Sequence, residues 1–177
     1  DLRRICGSLR PPTIDNLAKN GVRFENAFVN TPICHASRAT IFTGLTTTTH
    51  RHSGGPTGKP LIREDVNSSF PTLLRQAGYR TGFFGKQHVR FQRGVNGMGT
   101  MFDKNSVIFR NPYLKRMPDG SLRHTCEIIG DRSIKFLKEN PKDKPFFLYM
   151  SFNISHAEDG DKRPGHHFQW PLKENGL

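Results

Sequence analysis

Pro145-Phe146-Phe147-Leu148-Tyr149-Met150-Ser151-Phe152 is a nearly continuous apolar run opened by a proline. Such a run reads as a strand buried on both faces, the pattern of a parallel sheet covered by helices on either side. A second short strand is read in Tyr79-Arg80-Thr81-Gly82-Phe83-Phe84-Gly85. Elsewhere the periodicity turns helical. Residues 127–140 put Ile129, Ser133, Phe136 and Leu137 on one side. Pro71 suits the first position of a helix with Leu73, Leu74 and Ala77 inward and Gly78 as its stop. Residues 12–20 put Ile14, Leu17 and Ala18 on one face before Gly21, and residues 37–45 read as a helix with Gly44 near its end. Residues 22–29 read as a further strand, 46–68 as an exposed turn-rich loop, and 90–125 as largely irregular. Alternating helix and strand predicts an α/β domain with a largely parallel sheet. In such sheets active residues gather where loops leave the carboxyl ends of strands. Lys86 and His88 follow one such end, and His156 follows the other.

The bulk numbers narrow the function classes. The chain has 177 residues and a formal net charge of +12. No apolar run approaches the ~20 residues of a membrane-spanning helix, so no membrane span is expected. The charge fits an anionic partner or simply a solvated basic face. No block of consecutive Lys or Arg exceeds two, which argues against a nucleic-acid-binding tail. The three cysteines, Cys6, Cys34 and Cys126, form no CxxC pair, so a structural zinc knuckle is not expected. Their odd number leaves one unpaired, and Cys34 is the candidate. Asn67-Ser68-Ser69 and Asn153-Ile154-Ser155 fit the glycosylation acceptor pattern.

Three stretches carry chemistry. In Cys34-His35-Ala36-Ser37-Arg38 a helix N-terminus and a nearby guanidinium would favour a thiolate. In Gly85-Lys86-Gln87-His88 an extended backbone would project Lys86 and His88 to the same side. In Ser151-Phe152-Asn153-Ile154-Ser155-His156 a buried strand runs into a histidine. Taken singly, each has a plain reading: a packed thiol, a surface lysine beside a satisfied histidine, a surface histidine.

Taken together, in order, they resemble the formylglycine-dependent sulfatases of the alkaline phosphatase superfamily. Cys34 to Arg38, continued by Ala39-Thr40-Ile41-Phe42-Thr43-Gly44, is similar to that family's Cys-x-Pro/Ala-Ser-Arg element. Residues 79–88 resemble its Gly-Lys-x-His stretch after a strand, and 145–156 its strand followed by a histidine. Asp1-Leu2-Arg3 looks like the second half of its Asp-Asp-Leu-Arg metal element. The branch with heparan N-sulfatase, iduronate sulfatase and bacterial glycan sulfatases is nearest in layout.

The resemblance implies an alkaline-phosphatase-like sandwich, a largely parallel sheet flanked by helices. It also implies that residues 1–177 are the N-terminal part of a catalytic domain whose first metal strand and C-terminal portion lie outside the chain. It implies hydrolysis of a sulfate ester or sulfamate on a sulfated glycan or aryl sulfate. Cys34 would be oxidised to formylglycine (3-oxoalanine) by a maturation enzyme and act as nucleophile. Arg38, Lys86, His88 and His156 would serve catalysis, with Lys86 and His156 on the sulfate. Asp1 and residue 34 would ligate calcium. The chain alone is expected to bind calcium poorly and to lack useful activity. Compartment is open; the family acts in the periplasm, outside the cell or in lysosomes. Two alternatives stand beside this: a phosphodiesterase or phosphonate hydrolase of the same superfamily, and a non-catalytic basic module that binds nucleic acid or a sulfated glycan.

Overall fold

Strand β1 (Arg80–Gly85) is the centre of a three-stranded parallel sheet, with β2 (Lys104–Val107) on one side and β5 (Phe146–Ser151) on the other. The computed structural model describes residues 12–53, 58–154 and 156. The remaining strands, β3 (Leu114–Arg116) and β4 (Leu122–His124), form an antiparallel hairpin. The helices are α1 (Pro12–Asn20), α2 (Cys34–Thr43), α3 (Thr47–His50), α4 (Arg63–Asn67), α5 (Phe70–Gln76), α6 (Gly97–Met101) and α7 (Thr125–Lys138).

Side chains alternate across a strand, so Phe83 and Phe84 go to opposite faces. On one face Phe83 joins Ala39 and Phe42 of α2, Met101 and Phe102, with Phe147 and Tyr149 of β5 against them. This layer is aromatic: the Phe83 ring lies 5.3 Å from Phe102 and 5.4 Å from Tyr149. On the other face Phe84 meets Ile128, Ile129 and Phe136 of α7, with Leu148 beside them. Replacing Phe42 or Phe83, both fully buried, with Ala would cost about 3–5 kcal/mol. Two glycines let the layers close. A Cβ on Gly82 would meet the Phe136 ring at 2.9 Å, and one on Gly85 would lie 2.0 Å from the Ser151 carbonyl oxygen. Gly85 also has φ +120, open only to glycine at low cost.

Several local expectations change. Residues 22–29 form no strand: Val22, Phe24 and Phe28 are 79%, 78% and 92% exposed, and no partner strand runs beside them among the described residues. The helix expected at 37–45 begins three residues earlier, at Cys34, and ends with Gly44 in a left-handed cap. The 46–68 segment is not simply an exposed loop. It contains α3 and α4 and buries His50, His52, Leu61 and Val66. The 90–125 segment contains α6, β2, β3 and β4. In α5, Pro71 and Thr72 face inward while Leu73 and Ala77 are exposed, and in α7 Leu137 is exposed. Among the described residues β5 is not covered on both faces: Phe146 and Met150 are exposed, and β1 is the strand that pairs with it there.

Candidate active site

The ends of β1 and β5 and the start of α2 converge. α2 begins at Cys34 because Ile33 is extended and Ser37 N–H closes the first turn on the Ile33 carbonyl at 2.8 Å. The N-cap residue Ile33 makes no side-chain cap, which leaves first-turn N–H groups for other partners. Cys34 therefore sits in the first turn, and its Sγ lies 3.1 Å from His88 Nδ1.

His88 follows β1 with φ +52, a left-handed backbone unusual for a side-chain-bearing residue. The extended alternation expected for Lys86 and His88 therefore does not hold; the turn itself brings both to one cavity wall. Such strained residues concentrate at functional sites. Burial lowers the His88 pKa, and the charges of Lys86, His35, Arg38 and Arg110 lower it further, so the ring is held neutral. Burial also lowers the Lys86 pKa; Cys34 opposes this, while Arg38 and Arg110 add to it. A half-buried ammonium whose charged form is disfavoured gains when an anion arrives.

Arg38 lies on the next turn of α2. Its Nη1 donates to the Lys86 carbonyl at 2.6 Å and to Ser151 Oγ at 2.5 Å, and Ser151 Oγ donates to the same carbonyl at 2.8 Å. Three elements are thus tied at one point. Ser151, buried at the end of the apolar run, was not marked by any motif. Its signal was being the first polar residue after five apolar ones.

A cavity of about 480 Å³ opens beside Lys86 and His88, lined further by His35, His52, Phe109, Arg110 and Asn153 among others. His35 and His52 line it, and His52 is hydrogen-bonded to a further buried histidine, His50. His52 N–H donates to His50 Nδ1 at 2.9 Å, and His52 Nδ1 meets the Lys59 carbonyl at 2.9 Å. A carbonyl only accepts, so His52 carries its proton on Nδ1. His50, accepting at Nδ1, therefore donates from Nε2 to Thr40 Oγ1 at 3.0 Å. Burial keeps both rings neutral. The His35 ring bridges His52 and His88 at 5.9 and 5.8 Å. His50 and His52 did not stand out in the sequence, and His35 was given no role of its own.

His156 is placed past β5 by its backbone: its N–H donates to the Asn153 carbonyl at 3.0 Å, and Tyr113 OH donates to the His156 carbonyl. The residue is exposed. Asp1 lies outside the described residues. Calcium prefers six to eight hard oxygen ligands. Among the described residues no group of three His, Cys, Asp or Glu side chains is placed to hold a metal ion, and the neighbours of Cys34 are cations and imidazoles. The described residues therefore do not make a calcium site by themselves.

Residues 5–175 match a protein-family model described as Sulfatase. The human N-sulphoglucosamine sulphohydrolase is 32% identical over 160 residues, covering 84% of this chain and 28% of that protein. The Bacteroides thetaiotaomicron N-acetylglucosamine-6-O-sulfatase is 29% identical over 158 residues, covering 84% of this chain and 26% of that protein. A solved structure of a protein with its substrate D-glucosamine-2-N,6-O-disulfate superposes with a TM-score of 0.58 at 26% identity, covering 80% of this chain and 29% of that one. The chain thus spans little more than a quarter of the length of the curated relatives named here.

Proposed function

We propose, from the premise that this chain belongs to the sulfatase family, that its parent protein hydrolyses a sulfate ester or sulfamate on a sulfated sugar. Residue 34, oxidised from cysteine to formylglycine, is the nucleophile in this reading. The observation that carries it is Cys34 Sγ at 3.1 Å from His88 Nδ1, with Lys86 beside both. The substrate class follows the similar proteins, whose names each contain a glucosamine bearing sulfate or handled by a sulfatase.

The reaction takes R–O–SO3⁻ and water to R–OH and hydrogen sulfate. The hydrated formyl group supplies one hydroxyl for attack on sulfur and a second whose proton is lost on sulfate release. The chain's own residues do the rest. Lys86 neutralises charge on the sulfate oxygens, where a positioned cation in a water-poor site is worth most. His88, kept neutral, holds and moves the proton of the residue 34 side chain. Arg38 fixes the Lys86 main chain through its carbonyl and adds positive charge. His156, beyond β5, protonates the leaving oxygen or nitrogen. Asp1 and residue 34 would hold calcium together with ligands from outside the described residues, where it would add positive charge beside the sulfate, and no step above depends on it. The required partner is a formylglycine-generating enzyme.

The test uses the full-length parent co-produced with such an enzyme. Sulfate release from N-sulfated and 6-O-sulfated glucosamine and an aryl sulfate is compared with turnover of matched phosphate mono- and diesters. Sulfate substrates should win, and Cys34→Ala should lower the rate by ~10³-fold or more, as loss of a nucleophile does. Preference for a phosphate diester, or full sulfate release by Cys34→Ala, would overturn the reading. The isolated 177-residue chain should release no useful amount of sulfate.

A further inference from the structure

Tyr113, fully buried just before β3, is anchored through both its backbone and its ring. Its carbonyl accepts from Thr125 N–H, at the first residue of α7, at 2.9 Å. Its ring stacks on His124, with centroids 5.4 Å apart and planes within 1° of parallel. His124 is pinned in turn as the N-cap of α7. Its Nδ1 accepts from Cys126 N–H at 3.1 Å, and its own N–H donates to Glu127 Oε2 at 3.0 Å. α7 packs Ile128, Ile129 and Phe136 against Phe84 of β1. The base of Tyr113 is therefore part of the rigid core.

The hydroxyl reaches the turn that follows β5. It donates to the Asn153 carbonyl at 3.0 Å and also meets the His156 carbonyl. A hydroxyl carries one proton, so the two carbonyls share it. The Asn153 carbonyl accepts His156 N–H as well, at 3.0 Å. Both main-chain polar groups of His156 thus end on the Tyr113–Asn153 pair. Asn153 is held further by Nδ2 on the Ile108 carbonyl at 3.2 Å, and it lines the cavity that Lys86 and His88 share.

His156 itself is exposed and lies in no helix or strand. A functional side chain on a loop needs a scaffold that positions it. A phenylalanine at 113 would fill the same space and stack on the same imidazole, so packing alone does not call for a hydroxyl. Burying a hydroxyl is unfavourable without partners, and the partners here are the two carbonyls of this turn.

We propose that Tyr113 is a positioning residue for sulfate release: it extends the rigidity of α7 to the 153–156 turn and so holds His156 where it protonates the leaving group. The proposal rests on the sulfatase reading for the role of His156. In that step the S–O bond to the sugar breaks and its electron pair stays on the sugar oxygen. The His156 imidazolium passes its proton to that oxygen and becomes neutral. A sugar alkoxide needs this proton, whereas a nitrophenolate leaves as a stable anion without it.

The test uses Tyr113→Phe in the matured full-length protein, which keeps the ring and removes the hydroxyl alone. kcat/KM is measured on 6-O-sulfated and N-sulfated glucosamine and on 4-nitrophenyl sulfate. Tyr113→Phe should lower the sugar rates by up to about 10-fold, the worth of one neutral hydrogen bond, and the nitrophenyl sulfate rate far less. His156→Ala should show the same selectivity with a larger loss, about 10²-fold or more. Once His156 is gone, adding Tyr113→Phe should cost the sugar rates nothing further, because the two act as one unit. Native-state hydrogen exchange gives a readout free of turnover: the His156 amide should exchange up to about 10-fold faster in Tyr113→Phe. Equal losses on sugar and nitrophenyl substrates, or a full additional loss in the His156→Ala background, would overturn the proposal, since a merely structural tyrosine predicts both. Normal sulfate release with unchanged His156 exchange would overturn it and leave the sulfatase reading intact. Faster exchange in a parent that releases no sulfate would overturn the sulfatase reading and leave the hold of Tyr113 on the turn.

Discussion

Arg38 reaches Lys86 through its main chain: Nη1 donates to the Lys86 carbonyl at 2.6 Å while also holding Ser151 Oγ at 2.5 Å. The guanidinium thereby joins α2 to the ends of β1 and β5, and the position of Lys86 depends on it. Arg38→Lys keeps the charge but loses the planar fork, so it cannot hold both oxygens in the same geometry. Losing a hydrogen bond from a charged group costs about 1.5–3 kcal/mol. The expected result is a fall in kcat/KM of the matured parent by roughly 10- to 100-fold. Ser151→Ala removes a neutral partner and should cost only about 0.5–1.5 kcal/mol of stability, with a smaller kinetic loss. Steady-state kinetics and thermal melts of both variants check this. A Ser151→Ala defect larger than that of Arg38→Lys would contradict it.

The pH profile should report His88. Its pKa is lowered first by burial and then by Lys86, His35, Arg38 and Arg110. The neutral ring therefore persists below the ordinary histidine range near ~6.5. On the proposed mechanism, kcat/KM holds as pH falls through that range and drops only further down. Removing one of these cations relieves repulsion of the imidazolium and raises the His88 pKa. Arg110→Gln should consequently shift the acid limb to higher pH. The profile of the matured enzyme and this variant tests it; a limb that stays put or moves down would count against it.

The α/β class, a parallel sheet and the strands at 80–85 and 146–151 were legible from apolar runs and helical periodicity; that these two strands pair with each other was not. The alkaline-phosphatase-like architecture agrees with the solved relative bound to a disulfated sugar. Cys34, Lys86 and His88 were legible as a motif series, and the structure brings them together. The sequence presents Arg38 as a positive charge near Cys34, and its hydrogen bonds to the Lys86 carbonyl and Ser151 were not foreseen. What sequence missed depends on partners distant in the chain. Lys104-Asn105-Ser106-Val107 has no strand pattern of its own and becomes β2 only by pairing with β1. Residues 22–29 have strand-like composition and no strand to pair with among the described residues. His50 and His52, polar and loop-like in sequence, are buried because each finds a hydrogen-bond partner.

Acid should weaken the fold through Asp103. Its carboxylate accepts from Arg75 Nε at 2.7 Å and from Thr81 N–H at 2.9 Å, and so ties α5 and β1 to the start of β2. Burial alone would raise its pKa, but the hydrogen bonds from Thr81 and Arg75 outweigh that and lower it. A depressed folded pKa means that the unfolded chain binds the proton first on acidification. Its contribution is therefore present above the unfolded value near ~3.9 and lost as pH falls through the folded one. Asp103→Asn should cost about 1–2 kcal/mol at neutral pH, discounted for partial exposure. The loss should vanish at acid pH. Denaturant midpoints of the parent and variant across pH measure this, and a pH-independent difference would refute the linkage.

Gly85 should tolerate no side chain. It is the last residue of β1, immediately before Lys86, at φ +120, and an added Cβ would sit 2.0 Å from the Ser151 carbonyl oxygen. That oxygen is part of the backbone and receives the Lys86 N–H at 2.9 Å, so it cannot rotate away. Gly85→Ala must spread β1 from β5 and carry Lys86 with it. Gly120, in the β3–β4 turn, has φ +84 but nothing within 4 Å of its Cβ position, and so isolates the backbone strain alone. Gly120→Ala should cost about 1–2 kcal/mol. Gly85→Ala should cost more than ~3 kcal/mol, in the range of severe single substitutions, and should also depress kcat/KM in whatever protein still folds. Equal destabilisation by the two substitutions in denaturant titrations would show that the close approach of Gly85 to Ser151 contributes nothing of its own.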